Sequence, residues 1–326
     1  MGEGLINAVR ITANGGPEVL QYSEIEAPEA GPGTLAVQVA AAGVNFIDIY
    51  HRQGVYPLPL PRVLGLEGAG RVIAVGEAVP GFAVGDRVAW LDVDGSYAQV
   101  AVDAWDKFIP VPAAVSDEQA AAVTLQGLTA HALATDVYRI EPDDAVLIHA
   151  GAGGVGLLLT QIAQIKGARV ITTVSTPDKA ALSRAAGADE VVVGYDDFPA
   201  RARDFTAGAG VHVVYDGVGA ATFDGSLESI RRRGMMVLFG GASGQVPPFD
   251  IQRLNKHGSL RLTRPKVYDF VADHDELLAR AADVFGWIAD GRLDVRIGGR
   301  YPLAQAAQAQ EDLAARKTTG KLVLIP

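Results

Sequence analysis

A glycine-rich segment in the middle of the chain constrains the fold more than any other feature. Residues 151–156 read GAGGVG and fit the pattern G-x-G-x-x-G, between an apolar run, Ala145 to His149, and a helix-like run, Val155 to Ile165. The first glycine permits a tight turn, the second lets backbone approach a diphosphate, and the third lets the helix pack on the strand. Free N–H groups at the helix start attract anions. The segment predicts a strand, a turn and a helix that bind a dinucleotide.

Strand-like and helix-like runs continue to alternate beyond this segment. Further strands are predicted at Arg169 to Val174, Glu190 to Val193, Val211 to Tyr215, Met235 to Phe239 and, at an edge, Leu260 to Leu262. Helices are predicted at Lys179 to Ala186 and Phe223 to Arg232. Alternation at this spacing requires crossover connections, and it therefore predicts a parallel sheet covered by helices on both faces.

The first third of the chain has a different texture. Short alternating runs separated by Gly and Pro, such as Leu35 to Val39 and Arg71 to Val75, predict a compact, mostly β domain. The last apolar run, Leu322 to Ile325, comes too late to join the alternating sheet, so we expect it to return to the first domain. The fold class is α/β, with a mostly β domain at 1–125, a doubly wound parallel-sheet domain at 126–264 and a returning segment at 265–326.

The residues after the second strand of the alternation indicate which dinucleotide is bound. An Asp or Glu about 20 residues after the glycines would bind an adenosine ribose 2′-OH. The chain instead has hydroxyls in Thr172 to Thr176, followed by Lys179. A hydroxyl and an ammonium can hold a 2′-phosphate by charge-assisted hydrogen bonds, which favours NADPH over NADH. The alternative is that Lys179 is a solvated helix residue.

Composition excludes several classes of function. The chain has no cysteine, which rules out disulfides, thiolate metal sites and a cysteine nucleophile. Lys and Arg total 28 against 38 Asp and Glu, a net charge of −10, so nucleic acid is not an expected partner. The six histidines have no close ligand spacing, and His149 is expected to be a packed core residue. Arg231, Arg232 and Arg233 before Gly234 predict the basic end of a helix rather than an RNA-binding patch.

The location of the protein is predicted from what its sequence lacks. The N-terminus, Met1 to Ile6, has no basic start followed by an apolar run and no myristoylation signal. The glycines at 151–156 interrupt the longest uncharged stretch, which is therefore not expected to span a membrane. A cytoplasmic location is the resulting expectation.

Other segments join the glycine loop to form a recognisable set. They are Gly16 to Leu20, Gly43 to Asp48, Gly65 to Gly70, Gly127 to Thr129, Val214 to Gly219 and Leu262 to Pro265. In this order the chain closely resembles, over essentially its whole length, the zeta-crystallin-like quinone oxidoreductases, a zinc-free branch of the medium-chain dehydrogenase/reductase superfamily. The resemblance implies a GroES-like catalytic domain, an inserted Rossmann domain, NADPH lying in the cleft between them, quinone reduction, and a homodimer joined through the Rossmann sheets.

The resemblance also implies roles for individual residues. Catalytic positions beside the nicotinamide and the substrate would be Asn45, Tyr50 and Tyr56, although the two tyrosines could equally be packing residues. Cofactor-binding positions would be Asn45, Phe46, Gln126, Thr129, Gly151, Gly153, Gly154, Val155, Gly156, Ser175, Lys179, Tyr195, Gly217, Val218, Phe239, Gly240, Ser243 and Arg316. Two positions depart from the family pattern: Gln126 replaces a common lysine and Gly217 a common serine.

The same resemblance bears on metal and mechanism. Zinc-dependent members carry a cysteine and a histidine in the segments occupied here by Asn45 and Leu66, so no metal is expected, although Glu67 remains. NADPH would deliver a hydride, or its one-electron equivalent, to a stacked quinone that needs no Lewis acid. Two alternatives stay open. One is NADPH-dependent reduction of an activated C=C bond, and the other is an NADPH-binding structural or RNA-binding protein without turnover.

Overall fold

The computed structural model describes residues 4–326, so the first three positions of the N-terminal pattern discussed above lie outside the described residues. The chain divides into two compact units. One comprises 1–125, 271–291 and 295–326, and the other comprises 126–270 and 292–294. The return to the first unit begins at Val271 rather than at 265, because the segment that follows the last strand of the second unit still packs within that unit.

The N-terminal part of the first unit is built mainly from strands. These are β1 (Leu5–Ile11), β2 (Gln21–Glu26), β3 (Thr34–Val44), β4 (Arg62–Val63), β5 (Glu67–Val75), β6 (Arg87–Trp90), β7 (Val100–Ala104) and β8 (Ile109–Pro110). The helix α1 (Phe46–Gln53) lies between β3 and β4 and ends at Gly54, whose φ of 76° is the left-handed conformation that glycine adopts without strain. The helix α2 (Asp117–Ala132) follows β8.

Strands and helices alternate strictly in the second unit. In chain order they are β9 (Ala145–Ile148), α3 (Gly154–Ile165), β10 (Arg169–Val174), α4 (Pro177–Ala185), β11 (Glu190–Val193), α5 (Phe198–Phe205), β12 (Val211–Asp216), α6 (Phe223–Ser229), β13 (Ile230–Leu238), α7 (Gln252–Lys256) and β14 (Arg261–Thr263). The predicted bounds of β10 and β11 are confirmed. Thr176 caps α4 by accepting a hydrogen bond from Lys179 N, so this helix begins at Pro177 rather than at Lys179.

All the strand pairs of the second unit are parallel, in the order β11-β10-β9-β12-β13-β14. Numbered within the unit, this is the order 3-2-1-4-5-6 of a Rossmann sheet, which changes direction between β9 and β12. The α/β prediction is therefore confirmed. The carboxyl ends of β9, β10, β12 and β13 meet at one edge of the sheet, where this fold binds its ligands.

The arginine run was predicted wrongly. The helix α6 ends at Ser229, because Ile230 pairs with Val211 and draws the chain into the sheet, so Arg231 to Arg233 lie at the start of β13. Arg233, not Gly234, has the left-handed φ of 64°. Together with Ser259 and Arg261, the three arginines line a pocket with a volume of about 880 Å³. Folding of the sheet thus adds Arg261 to the arginine run and forms a basic patch.

The C-terminal segment completes the first unit with α8 (His274–Ala289), β15 (Ile297–Pro302), α9 (Ala306–Ala314) and β16 (Lys321–Ile325). β16 pairs antiparallel with β3 and parallel with β15, within a seven-stranded sheet ordered β15-β16-β3-β5-β6-β8, in which β7 also pairs with β3. A three-stranded sheet, β2-β1-β4, accompanies it. Among the described residues, no helix is long and apolar enough to cross a membrane.

Candidate functional site

The turn after β9 differs in one detail from the prediction. The left-handed residue is Ala150, with a φ of 54°, whereas the φ of Gly151 is not in that region. Gly151 is needed for a different reason: a Cβ there would lie 2.6 Å from Thr172 Cβ and 2.7 Å from Ser183 Oγ. A glycine therefore lets the turn approach β10 and α4.

The remaining glycines of the loop make equally close contacts. A Cβ at Gly156 would overlap the carbonyl oxygen of Ala150, and a Cβ at Gly154 would overlap the amide of Gln126. Gln126 Oε1 is buried without a hydrogen-bond partner in the described structure. Gly153 is the N-cap of α3 and supplies no side-chain cap, so the first N–H groups of the helix remain available to an anion.

The residues predicted to bind the 2′-phosphate lie after β10 and β11. Ser175 is exposed, and Lys179 Nζ lies 3.3 Å from Ser175 Oγ. Tyr195 follows the neighbouring strand β11, and its ring centroid is 6.1 Å from that of His149. The structure thus brings a hydroxyl and an ammonium together after β10, whereas the phenol of Tyr195 contacts His149 and packs against the core of the unit.

A chain of buried hydrogen bonds joins three strand ends. His149, after β9, lies between Thr173 Oγ1 of β10 at 2.8 Å and Ser226 Oγ at 2.9 Å. Ser226 donates to Asp216 Oδ2, the last residue of β12, at 3.0 Å. Because the single Ser226 hydrogen goes to Asp216, the Nε2 atom of His149 must carry the imidazole hydrogen. Burial lowers the pKa of His149, and Asp216 opposes this shift.

Asp216 also organises the loop that follows β12. Its Oδ1 accepts hydrogen bonds from Val218 N at 2.8 Å and from Gly219 N at 2.9 Å. Both carboxylate oxygens accept from the hydroxyl of Thr222. Asp216 was not among the residues predicted from the sequence, although a carboxylate at the end of an apolar strand, just before Gly-Val-Gly, was a usable signal.

The loops after β12 and β13 are bonded to each other. Ser243 N and Ser243 Oγ both donate to the Val218 carbonyl, at 2.8 and 2.7 Å. A Cβ at Gly217 would lie 2.9 Å from the Phe239 ring, and one at Gly240 would lie 2.5 Å from the Gly217 carbonyl. The glycine at 217 therefore leaves room for Phe239, which explains why this chain has no side chain there.

In the first unit, Asn45 lies in a buried polar cluster. Its Nδ2 donates to Glu67 Oε2 at 2.8 Å, and its Oδ1 accepts from Lys321 Nζ at 2.7 Å. Lys321 Nζ also pairs with Glu67 Oε2. Asn45 is 4% exposed, and both polar groups of its side chain make hydrogen bonds within the unit.

Asp48 extends this cluster below the start of α1. Its Oδ2 accepts from Asn45 N and from the Tyr97 hydroxyl, each at 2.8 Å, while its Oδ1 is buried without a hydrogen-bond partner. Burial raises the pKa of Asp48 to about 7, against the lowering effect of these hydrogen bonds and of Lys321. Burial and the Asp48 charge raise the pKa of Tyr97 well above its usual value.

Three aromatic residues predicted near the reacting groups lie together. Tyr50 on α1 is 6.4 Å from Phe46 and 5.8 Å from Tyr56 between ring centroids. Tyr56 is 40% exposed, and its ring also lies 6.3 Å from that of His51 between centroids. Arg316 follows α9 with a φ of 58°, an unfavourable conformation for a residue other than glycine. Thr129 lies one turn after Gln126 on α2.

Known proteins identify the family. Residues 31–113 match the model of the alcohol dehydrogenase GroES-like domain, and residues 154–281 match that of the zinc-binding dehydrogenase. A quinone oxidoreductase from Pseudomonas aeruginosa is 43% identical, over 98% of this chain and 99% of its own length. The chain belongs to the quinone oxidoreductases. The expected membership of the medium-chain dehydrogenase/reductase superfamily is thereby confirmed.

Other members of this family have related structures and names. A mycobacterial protein complexed with NADPH is 50% identical, with a TM-score of 0.95, covering 98% of this chain and 100% of its own. The Escherichia coli quinone oxidoreductase complexed with NADPH is 41% identical, with a TM-score of 0.96 and the same coverage. A 2-haloacrylate reductase from a Burkholderia species is 36% identical over 99% of both chains.

The name of one matching domain implies a zinc ion, but the residues present are not suited to bind zinc. Across residues 4–326, no group of three or more His, Cys, Asp or Glu side chains is arranged to hold a metal ion. Leu66 offers no ligand atom, and the Glu67 carboxylate is occupied by the Lys321 ammonium. A dinucleotide does fit, because the first N–H groups of α3 have no side-chain cap and the buried Gln126 Oε1 has no hydrogen-bond partner in the described structure.

Proposed function

We propose that this quinone oxidoreductase uses NADPH to reduce quinones without a metal. The proposal rests on the strand ends of the second unit, where the N-terminus of α3 has no side-chain cap and the Lys179 ammonium lies beside Ser175, because both features suit a phosphorylated dinucleotide. Relatives named quinone oxidoreductases and complexed with NADPH support the choice of cofactor and acceptor.

Each group of residues would have a distinct task. The N–H groups of α3, together with Gly151, Gly153, Gly154, Val155 and Gly156, would bind the diphosphate. Ser175, Lys179 and Tyr195 would bind the 2′-phosphate, since an ammonium beside hydroxyls makes charge-assisted hydrogen bonds to phosphate. Gln126 Oε1 would accept a hydrogen bond from the cofactor, and the Thr129 hydroxyl would accept or donate one. The loops containing Gly217, Val218, Phe239, Gly240 and Ser243 would border the nicotinamide ribose, and Arg316 would add a positive charge.

The chemistry needs little from the protein beyond orientation. Bound NADPH supplies a hydride or its one-electron equivalent. Tyr50 and Tyr56 would stack with the quinone and donate a hydrogen bond to the oxyanion that develops on it, and Phe46 would exclude water. Because quinones accept electrons readily, these roles do not require a Lewis acid.

Lys179 provides the sharpest test of cofactor choice. The Lys179→Asp variant should lose affinity for NADPH by about tenfold to a hundredfold, since a charged hydrogen bond is worth about 1.5–3 kcal/mol. Affinity for NADH, which lacks the 2′-phosphate, should change little. Titration of both nucleotides by protein fluorescence measures this, with Lys256→Asp, an exposed lysine on α7, as the control. Equal losses for both nucleotides in Lys179→Asp would contradict the proposal.

Reduction of an activated C=C bond is a second candidate, favoured by the relative named 2-haloacrylate reductase. The cofactor site would be the same in both cases, so only the acceptor discriminates. Steady-state kcat/KM for simple quinones and for α,β-unsaturated carbonyls, measured with NADPH, separates the two. If kcat/KM is more than about tenfold higher for the unsaturated carbonyls than for the quinones, the acceptor is an enone and not a quinone.

A binding role without turnover is a third candidate, and the basic patch of Arg231, Arg232, Arg233 and Arg261 is where RNA would bind. Among the described residues, none of those that line this patch is aromatic and suited to base stacking, and the net charge of −10 opposes the binding of a polyanion. We therefore keep nucleic acid outside the proposed function. A homodimer and a cytoplasmic location remain predictions from the sequence.

A further inference from the structure

The first unit contains a buried ion pair to which the proposed reaction assigns no task. Lys321 on β16 and Glu67 at the start of β5 are 2% and 0% exposed, and the ammonium contacts Glu67 Oε2. Asn45 joins both partners, with Oδ1 2.7 Å from Lys321 Nζ and Nδ2 2.8 Å from Glu67 Oε2. We call these three side chains the Lys321 ring.

The ring determines the orientation of the Asn45 amide. An ammonium can only donate hydrogen bonds and a carboxylate can only accept them, so the carbonyl oxygen of Asn45 must face Lys321 and its NH₂ group must face Glu67. The second carboxylate oxygen of Glu67 accepts from Leu125 N at 2.6 Å, which fixes the carboxylate as well. Taking two charges out of water is costly, and this geometry compensates for that cost.

The fold makes room for the ring. Gly43 on β3 pairs with Glu67 on β5 and with Val323 on β16, so the three strands bring the two charges together. A Cβ at Gly43 would overlap the Glu67 carboxylate and would lie 2.8 Å from the Ala121 carbonyl. The glycine is therefore required by the ion pair and not by its own backbone conformation.

The ring lies directly before the helix that carries two of the proposed site residues. Asn45 is the N-cap of α1, and its N–H donates to Asp48 Oδ2 in the first turn. Phe46 is the first residue of α1 and Tyr50 follows one turn later, with Tyr56 against its ring. A shift of Asn45 would move the start of α1 and these aromatic rings with it.

We propose that Lys321 is a positioning residue, the internal cation that neutralises Glu67 and locks Asn45 so that α1 presents Phe46 and Tyr50 to the reactants. It supplies positive charge beside Glu67, in the segment where zinc-dependent members of the superfamily carry metal ligands. Asn45 then acts through α1 and not by touching the cofactor. The proposal rests on the proposed function for its link to turnover, whereas the coupling of the three side chains is independent of it.

The decisive variant is the double substitution Glu67→Gln/Lys321→Met. It removes both charges at nearly constant volume, so it should fold with a melting temperature close to that of the wild type. The single variant Lys321→Met leaves the carboxylate buried without its cation and should melt at a clearly lower temperature. Lys107→Met removes a lysine from a partly exposed ion pair of the same unit, with Asp103 at 2.9 Å, and is the matched control.

Turnover separates positioning from stability. In the double variant we expect kcat for quinone reduction to fall about tenfold or more, because small misplacements of aligned groups are costly, while the Kd for NADPH stays within about twofold. Lys107→Met should keep both values. A double variant with wild-type kcat, or with kcat and NADPH affinity lost in proportion, would overturn the proposal. So would a Lys321→Met variant as stable as the wild type.

Failure of the proposed function would look different. In that case the wild type itself would not reduce quinones, and the comparison of melting temperatures among Lys321→Met, Glu67→Gln and the double variant would still report on the ring. A coupling between the two substitutions supports the Lys321 ring whatever the acceptor is. Additive effects would contradict it.

Discussion

At the scale of single residues, Asp48 shows what burial does to an acid. Its carboxyl is fully buried, one of its oxygens has no hydrogen-bond partner in the described structure, and its pKa is raised to about 7 from an ordinary value of 3.8. Between these two pH values the folded state holds a proton that the unfolded state has lost. Because the folded state binds more protons there, the free energy of unfolding decreases as pH rises from about 4 to about 7.

The Asp48→Asn variant tests this dependence. An amide cannot ionise, so the variant should lose less stability than the wild type between pH 5 and pH 8, and it should be the more stable protein at pH 8. Urea denaturation at both pH values measures the difference, with Asp290→Asn, an exposed aspartate after α8, as the control. Parallel pH profiles for the wild type and Asp48→Asn would show that Asp48 does not titrate in this window.

Two glycines make a second matched pair at this scale. A Cβ at Gly156 would overlap the Ala150 carbonyl oxygen, whereas a Cβ at Gly286 in α8 would have no heavy atom within 4 Å. We expect Gly156→Ala to lower the free energy of unfolding by about 1–3 kcal/mol and to weaken NADPH binding. Gly286→Ala should leave binding unchanged and add up to about 1 kcal/mol, since alanine favours a helix. Denaturant unfolding and nucleotide titration test both, and equal effects would contradict the close approach at residue 156.

At the scale of elements, the loops at the carboxyl ends of the strands act as one unit. Asp216 holds the loop after β12, which is bonded to the loop after β13 through Ser243, while Ser226 and His149 connect Asp216 to β9 and β10. The loops that would hold the nicotinamide ribose are therefore held by a buried carboxylate that accepts hydrogen bonds from the backbone of the first of them.

Asp216→Asn should loosen these loops. An amide has only one carbonyl oxygen, so its NH₂ group would face N–H and O–H groups that now donate hydrogen bonds to Asp216. We therefore expect the affinity for NADPH to fall about tenfold and the free energy of unfolding to fall by about 1–3 kcal/mol. Asp224→Asn removes an exposed carboxylate of α6 that pairs with Arg253 and should leave NADPH affinity unchanged. Isothermal titration with NADPH distinguishes them. Unchanged affinity in Asp216→Asn would show that the loops do not depend on this carboxylate.

Elements were easier to predict than their ends. Apolar runs of β-branched residues, such as Arg169 to Val174, fixed the strands, and glycine spacing fixed the start of α3 to within a residue. The end of α6 could not be read locally, because Ile230 and the arginines after it suit a helix as well as a strand. Pairing of Ile230 with Val211 decides in favour of the sheet, and that pairing is a tertiary contact.

At the scale of the whole molecule, the candidate site also depends on tertiary contacts that the local sequence does not reveal. The glycine loop and Lys179 were identified from short patterns that have a physical reason, whereas Asn45 and Tyr50 were identified only through the resemblance to a family. Lys321 was not identified, since it meets Glu67 and Asn45 from the far end of the chain. Nothing in a terminal strand sequence, KLVLI, marks its lysine as buried, and lysines are rarely buried without a partner.

The sequence also predicts a homodimer, and the six-stranded sheet offers an edge for it. β14 ends the sheet, and its Leu262 is 36% exposed, whereas β11, at the other edge, leads towards Tyr195 of the proposed cofactor site. An uncovered edge strand with an exposed apolar residue can pair with a second copy. We therefore expect dimers to form through β14.

Leu262→Asp should weaken this dimer by at least about tenfold, because it places a charge where an apolar side chain would be buried against its copy. Val193→Asp puts the same charge on a somewhat more exposed residue of β11, where Val193 is 46% exposed, and should leave the dimer intact. Sedimentation equilibrium at several protein concentrations measures both. If Val193→Asp dissociates the dimer and Leu262→Asp does not, the contact lies at the β11 edge. A monomeric wild type would remove the prediction, because an edge that stays exposed in solution needs no partner to cover it.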